Sequence, residues 1–389
     1  MKPLSTFHAR ASARGLTLVE LLVAMVIGLF MTIVMGSVFL GSKSGMHRHE
    51  QLSAVQQSVR TAFEYLAHDA RMVGHMGCFT GSASAGFTND LSSSHIGSNY
   101  ALGVEGFDYD GSKAPFPWTA TTPTAVKTAA NWLSNTVAPG GFTAIPIDDI
   151  AGSGQGLAPG ADVLVIRTVA EAPLRLSADT TTGGSTITVE NRPGGKCSDG
   201  STNKVSGFCA NSHGLIASCK RARVFGVQSI AGTTLTLKST LGADPVYAAA
   251  STEVFPMQTI VYYVKTSSIG EGTSLYRRIF DGDNATGNEQ ELIEGVETVQ
   301  VTYGVDTTTP ADGAVDSYVT AKDVTDWSLV VAVRMGVVVR SLEPVAADTP
   351  VRASDAVNGA AVTYPTSGPK FDRRVFTTTV ALRNRISHL

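Results

Sequence analysis

Between residues 16 and 40 the chain reads LTLVELLVAMVIGLFMTIVMGSVFL, and Glu20 is its only ionisable residue. At ~1.5 Å of rise per residue, a helix of this length crosses the ~30 Å hydrocarbon core of a bilayer. Lys2, Arg10 and Arg14 precede the run without an acid among them, and Lys43 follows it. That bias holds the N-terminus in the cytoplasm and sends the rest of the chain across. A cleaved secretory signal has a shorter apolar stretch and a small-residue cleavage site behind it. The sequence GSKSGMHRHEQ that follows here offers no such site. Glu20 itself needs an explanation: a carboxylate costs roughly 2.5–3.5 kcal/mol at the centre of a bilayer and less near its interface.

No proline occurs between Pro3 and Pro115, so nothing breaks a helix that runs through the apolar segment and beyond it. After Lys43, apolar residues recur at Leu52, Val55, Val59, Phe63, Leu66, Ala70 and Val73. Steps of three and four place them on one stripe of an amphipathic helix, with Arg60, Glu64, Asp69 and Arg71 at other positions. Gly74 and Gly77 then favour its end. The helix is expected over residues 16–77, with its membrane-spanning part at 16–40. From about residue 80 the pattern changes to short apolar runs and alternation. Strands are predicted at 162–169, 185–190, 223–230, 233–238, 252–265, 274–280, 296–304, 329–341 and 375–383, separated by Gly/Ser/Thr/Asn turns. Residues 80–160 read as loop-rich. The expected fold class is α+β: a long N-terminal helix packed on a β-rich globular head at 78–389.

A net charge of −3 gives no global attraction to nucleic acid, and Lys113 and Lys127 are the only cations between residues 80 and 160. The four cysteines, Cys78, Cys197, Cys209 and Cys219, include no CxxC pair, which argues for disulfides in an exported head rather than for zinc. Three pairings are possible. One hypothesis has Cys78 tie the helix to the head through a middle cysteine while the other two close a local loop. No GxSxG or HExxH motif is present. His213, in a Ser/Asn/Gly loop between two cysteines, reads as a surface residue rather than a catalytic base. Asp281-Gly-Asp283-Asn284 begins like a calcium loop, but Ala285, Thr286 and Leu292 stand where a ligand, the Gly and the final Glu belong. Asp306, Asp312 and Asp316 lie in a second acidic loop, read as an ordinary surface turn. The chain is therefore expected to be non-enzymatic and without cofactor or metal. Arg383 and Arg385 end the last predicted strand, where they either face solvent or meet a neighbour's acids.

Arg14-Gly15-Leu16-Thr17-Leu18-Val19-Glu20 resembles the prepilin signal: a basic leader, Gly at the cut, an apolar first residue, and Glu at mature position five. The resemblance implies a leader at 1–15, cleavage by prepilin peptidase between Gly15 and Leu16, and N-methylation of Leu16. It also implies that Glu20 faces a neighbour's terminal amine, which fixes axial register as helices stack. Leu16 replaces the family's usual Phe, and Ser37 stands where major pilins often have a proline. Further stretches are similar to the W-type minor pilins, the PilW family. They include Asp69-Ala-Arg-Met-Val-Gly-His-Met-Gly-Cys78, Ala161-Asp-Val-Leu-Val-Ile-Arg167 and Gly214-Leu-Ile-Ala-Ser-Cys219. Leu275-Tyr-Arg-Arg278, Glu294-Gly-Val-Glu-Thr-Val-Gln-Val-Thr-Tyr-Gly-Val-Asp306, Trp327, Val330-Val-Ala-Val-Arg334 and Phe376-Thr-Thr-Thr-Val-Ala-Leu-Arg-Asn-Arg385 complete the set. That family implies a low-abundance subunit that helps to start pilus assembly near the tip. Its implied partners are other minor pilins, the major pilin, prepilin peptidase, the inner-membrane assembly platform and a tip adhesin. The implied location is the bacterial inner membrane, with the head periplasmic, and then the fibre at the cell surface. Two other readings share the N-terminal signal: a J-type pseudopilin of type II secretion, whose head is usually shorter, and a head that binds a surface ligand directly.

Overall fold

The computed structural model describes residues 17–79, 86–91, 95–110, 131–134, 150, 156–170, 172–192, 197, 205, 207–242, 245–270, 272–283, 287–345, 350–364 and 368–386. Its first element is helix α1, Leu18–Arg71. Two compact units divide the chain, residues up to Ala54 and residues from Val55 onward. In the first, residues 17–43 are exposed throughout. In the second, the helix buries Val55, Val59, Ala62, Leu66, Ala70 and Val73. These are the expected stripe, with Ala62 fully buried where Phe63 is only partly so. After Arg71 the chain turns, and Gly74 (φ 71°) and Gly77 (φ 64°) take the left-handed backbone that ends helices.

The head is built from antiparallel sheets. The largest runs in the order β3 (Trp132–Leu133), β2 (Val104–Tyr109), β4 (Val163–Val169), β10 (Glu253–Thr266), β7 (His213–Ser218), β8 (Arg221–Ala231), β9 (Thr234–Leu237) and β6 (Thr186–Thr188). Strand β10 organises it. Residues from Thr259 onward pair with β11 (Thr273–Phe280), while 257–262 pair with β4. Its first residues pair instead with β7 and β5 (Leu174–Arg175). Pro256 lies near that change of partners, where a residue without an N–H is tolerated. β12 (Asn288–Glu294) extends the sheet beyond β11, and the short β1 (Phe87–Asn89) lies parallel to β8. A second, four-stranded sheet has the order β14 (Ser317–Val319), β13 (Val296–Val305), β15 (Val330–Arg340) and β18 (Arg373–Ala381). The hairpin β16–β17 (Ser354–Val357, Ala360–Thr363) covers one face of this second sheet through Val357, Val362 and Tyr364 on Val338. A single turn, α2 (Arg383–Ile386), closes the described chain.

Alternation along β10 puts both of its faces in a core. Ile260, Tyr262 and Val264 join the helix stripe and the inner residues of β13 and β15. Val261 and Tyr263 pack on the other side with Phe107, Trp132 and Ile150. This second core lies partly in the region read as loop-rich. Trp132 is wholly buried there, donating its indole N–H to the Ala161 carbonyl at 2.8 Å. Closeness of packing also fixes one glycine: a Cβ on Gly106 would sit 1.7 Å from the Tyr303 hydroxyl. The α+β expectation holds. Strands β1, β2, β3, β5, β7, β12, β14, β16 and β17 lie outside the predicted runs, and the last strand stops at Ala381, so that Arg383 lies in α2.

Candidate functional site: the N-terminal helix and its clasp

The apolar part of α1 is long and apolar enough to cross a membrane and is entirely unburied. Leu22, Ile27, Phe30, Ile33 and Phe39 are each more than half exposed. Burial of such a side chain is worth ~1.5–3 kcal/mol, so the run demands cover from lipid or from other helices. Its other polar groups are satisfied within the helix. Thr32 Oγ1 donates to the Leu29 carbonyl and Ser37 Oγ to the Val34 carbonyl, each at 2.8 Å. Helical spans in lipid require this internal satisfaction.

Glu20 has a local partner. The Glu20 N–H donates to Thr17 Oγ1 at 3.3 Å, and the Thr17 N–H and hydroxyl donate to Glu20 Oε2 at 3.1 and 3.2 Å. This is a capping box, in which a Thr and a Glu three residues on satisfy each other's orphan donors. Its sequence signal is Thr17-Leu-Val-Glu20, which the apolar run around it conceals. The carboxylate is thereby placed at the positive end of the helix dipole. Gly15 and Leu16, the residues on either side of the expected cut, lie outside the described residues.

Where the helix ends, four contacts fix it to the head. Asp69, only 2 % exposed, accepts from the Tyr262 hydroxyl at 2.6 Å and from Arg277 Nε at 2.9 Å. Arg277 Nη2 adds a second bond at 3.1 Å. Desolvation, with Asp69 beside it, pushes the Tyr262 phenol far above its ordinary range and keeps it a donor. Thr168 Oγ1 on β4 donates to the Met72 carbonyl, and Asn384 Nδ2 on α2 donates to the Arg71 carbonyl. The Arg71 carbonyl is one that a helix end leaves without an intrahelical partner, and the Met72 carbonyl accepts from the His75 N–H as well. Finally, a disulfide joins Cys78 to Cys219, 141 residues away, just after β7. The other bridge, Cys197–Cys209, closes a local loop. The sequence places Asp69 among the charged positions off the apolar stripe. It belongs to the buried face: Leu66, Asp69, Ala70 and Val73 follow the three-and-four spacing that would have identified it.

Other singled-out residues are placed as follows. His213 is not a surface residue: it is fully buried at the start of β7, with Nε2 2.8 Å from Asp283 Oδ1 and Nδ1 3.4 Å from the Tyr100 hydroxyl. Lys238 pairs with the other oxygen of Asp283. The hydrogen bond from His213, aided by Lys238, holds the Asp283 carboxyl well below the usual range. Asp281 and Asp283 thus belong to a turn stitched onto β7, since the His213 N–H donates to the Asp281 carbonyl at 3.1 Å. Asn284 lies outside the described residues. In the second acidic loop, Asp306 accepts from the N–H groups of Thr308 and Gly313, and Asp316 from that of Thr307. Their oxygens are directed at backbone within the loop.

Residues 261–384, about a third of the chain, match the family model for the type IV pilus-assembly protein W. Residues 10–36 match the model for the prokaryotic N-terminal methylation motif. No curated protein and no solved structure matches. The first match contains Tyr262, Arg277 and Asn384, three of the residues that hold the end of α1.

Proposed function

We propose that this PilW-like type IV pilin is a minor subunit that takes part in starting pilus assembly, near the fibre tip and in company with other minor pilins. Before assembly the apolar part of α1 anchors it in the inner membrane, with the N-terminus cytoplasmic and the head periplasmic. Residues 1–15 are the leader, 16–77 the assembly helix and 78–389 the head. Prepilin peptidase cuts between Gly15 and Leu16, and Leu16 is then methylated. The head performs no catalysis of its own; its work is to present surfaces to neighbouring subunits.

The observation that carries this reading is the combination of an uncovered apolar helix with a helix end bonded firmly into the head. A helix that must leave the bilayer for a fibre exchanges lipid for neighbouring helices. Glu20 is the one charge that must be matched on the way, and a buried charge is tolerated when paired. In the monomer its oxygen is engaged by Thr17. In the fibre the terminal amine of a neighbour supplies the opposite charge and sets axial register.

Chromosomal deletion with complementation tests the reading. Loss of surface pili with protein export intact is expected. Intact pili with blocked export would assign the chain to a secretion system instead.

A further inference from the structure

The outer edge of β18 is an unpaired edge of the second sheet among the described residues. Backbone bonds from Leu382 to Val331 and from Ser341 to Asp372 fix the parity of its pairing with β15. Even-numbered residues of β18 face β15, so the N–H and C=O groups of Val375, Thr377 and Thr379 point outward. Among the described residues no strand pairs with that edge. Natural sheets blunt exposed edges with charge, proline or cover. Here Val375 to Ala381 carries no charged residue.

A groove of about 560 Å³ runs between this strand and α1. Val59, Phe63, Ala67 and Phe376 give it an apolar lining. Arg60, Glu64 and Arg71 also line it. Arg60 and Glu64 are i,i+4 partners at 3.5 Å, which leaves Arg71 as the surplus charge. Arg71 is exposed and has no acid partner among the described residues. Arg383, also exposed, follows β18 in α2.

We infer that this groove receives an extended acidic segment of a neighbouring subunit of a different kind, which adds to the sheet as a strand beside β18. Its backbone pairs with Val375, Thr377 and Thr379. Alternate apolar side chains lie on Phe63 and Phe376, and a carboxylate meets Arg71. Free amides along the floor select a strand over a helix, because strand addition draws its affinity from main-chain bonds and its specificity from alternate side chains. The surplus arginine selects an acidic segment. The inference rests on the pilus-subunit reading, since it takes the occupant from an adjacent subunit.

Amide exchange tests it on the full chain, pulsed in intact sheared fibres and in detergent-solubilised membranes, with residue-level mass spectrometry over residues 56–71 and 373–381. Exchange at Val375, Thr377 and Thr379 is expected to slow roughly tenfold or more in the fibre. Thr377→Pro removes one outward N–H and spares the bonds to β15, so it should lower incorporation several-fold, whereas Thr377→Val should not. Arg71→Glu should lower it and Arg71→Lys should retain it. If the chain is in the fibre and these amides exchange unchanged, the inference falls and the pilus reading stands. Protection confined to residues 56–71 would indicate a docked helix and overturn it. The same protection in a detergent dimer would make the occupant a second copy and overturn the assignment to a different subunit. Absence of the chain from fibres would overturn both.

Discussion

Asp69 concentrates the physics of this molecule in one side chain. It is a carboxylate on the buried face of an amphipathic helix, held by Arg277 and Tyr262 from two neighbouring strands. Removing one partner of a buried pair leaves the other charge uncompensated. Asp69→Ala is therefore expected to destabilise the protein by about 3–5 kcal/mol in chemical denaturation. Adding Arg277→Leu should recover part of that loss, because the stranded guanidinium is then gone. If the two substitutions were simply additive, the pair would not be acting as a clasp. Glu20→Ala is expected to leave membrane insertion intact and to remove the subunit from sheared pili. Unchanged amounts in those pili would exclude a register role for Glu20. Both residues are legible in the sequence to different degrees. Glu20 stands out because it is alone in an apolar run. Asp69 is hidden because a charged residue beside an apolar stripe reads as lying off it, although its spacing from Leu66 and Val73 puts it inside.

At the scale of elements, what the sequence makes plain is whatever repeats with one period. The helix stripe and strands such as β4, β10, β13 and β15 are legible because their apolar residues run at one spacing over many positions. β12 is not, since Glu289, Glu291 and Glu294 mask its alternation. The charges of Glu289 and Glu291 are met in the fold by partners on other segments: Lys265 and Arg278 for Glu289, and Ser267, Ser268 and Tyr276 for Glu291. Against the desolvation that raises it, this set of bonds holds Glu291 down to about 2. Trp132 and Ile150 were missed for the opposite reason: isolated apolar residues in a polar stretch carry no period, and only the tertiary structure buries them. The Cys78–Cys219 bridge joins the end of one element to another 141 residues away. Cys219→Ser is expected to lower unfolding stability by roughly 2–4 kcal/mol, toward the upper end for so long a loop. A melting curve identical to the wild type under oxidising conditions would contradict that.

At the scale of the whole molecule, charge pairing sets how stability follows pH. Asp283 and Glu291 have carboxyls held below their ordinary range in the folded state. Their contribution is complete above the unfolded carboxylate value near pH 4 and is lost as pH falls through the lower folded values. Asp108 and Asp162 behave oppositely. Desolvation raises both, and the proximity of Asp108 adds to the rise at Asp162, so their effect worsens as pH climbs from the unfolded value. Asp283→Asn should therefore cost most at neutral pH, with the gap in Tm to the wild type closing as pH falls toward 3. A gap that stays constant would mean that the Asp283 pair contributes no pH-dependent stability.

The proposed function stands first on processing, because a chain that works as a pilin must begin at its cut. Intact mass and N-terminal sequencing of the mature chain, with and without prepilin peptidase, test it most directly. The account predicts a chain that starts at methylated Leu16 only when the peptidase is present. An uncut chain, or one cut beyond residue 40, would make Glu20 incidental and the apolar helix an ordinary anchor or export signal.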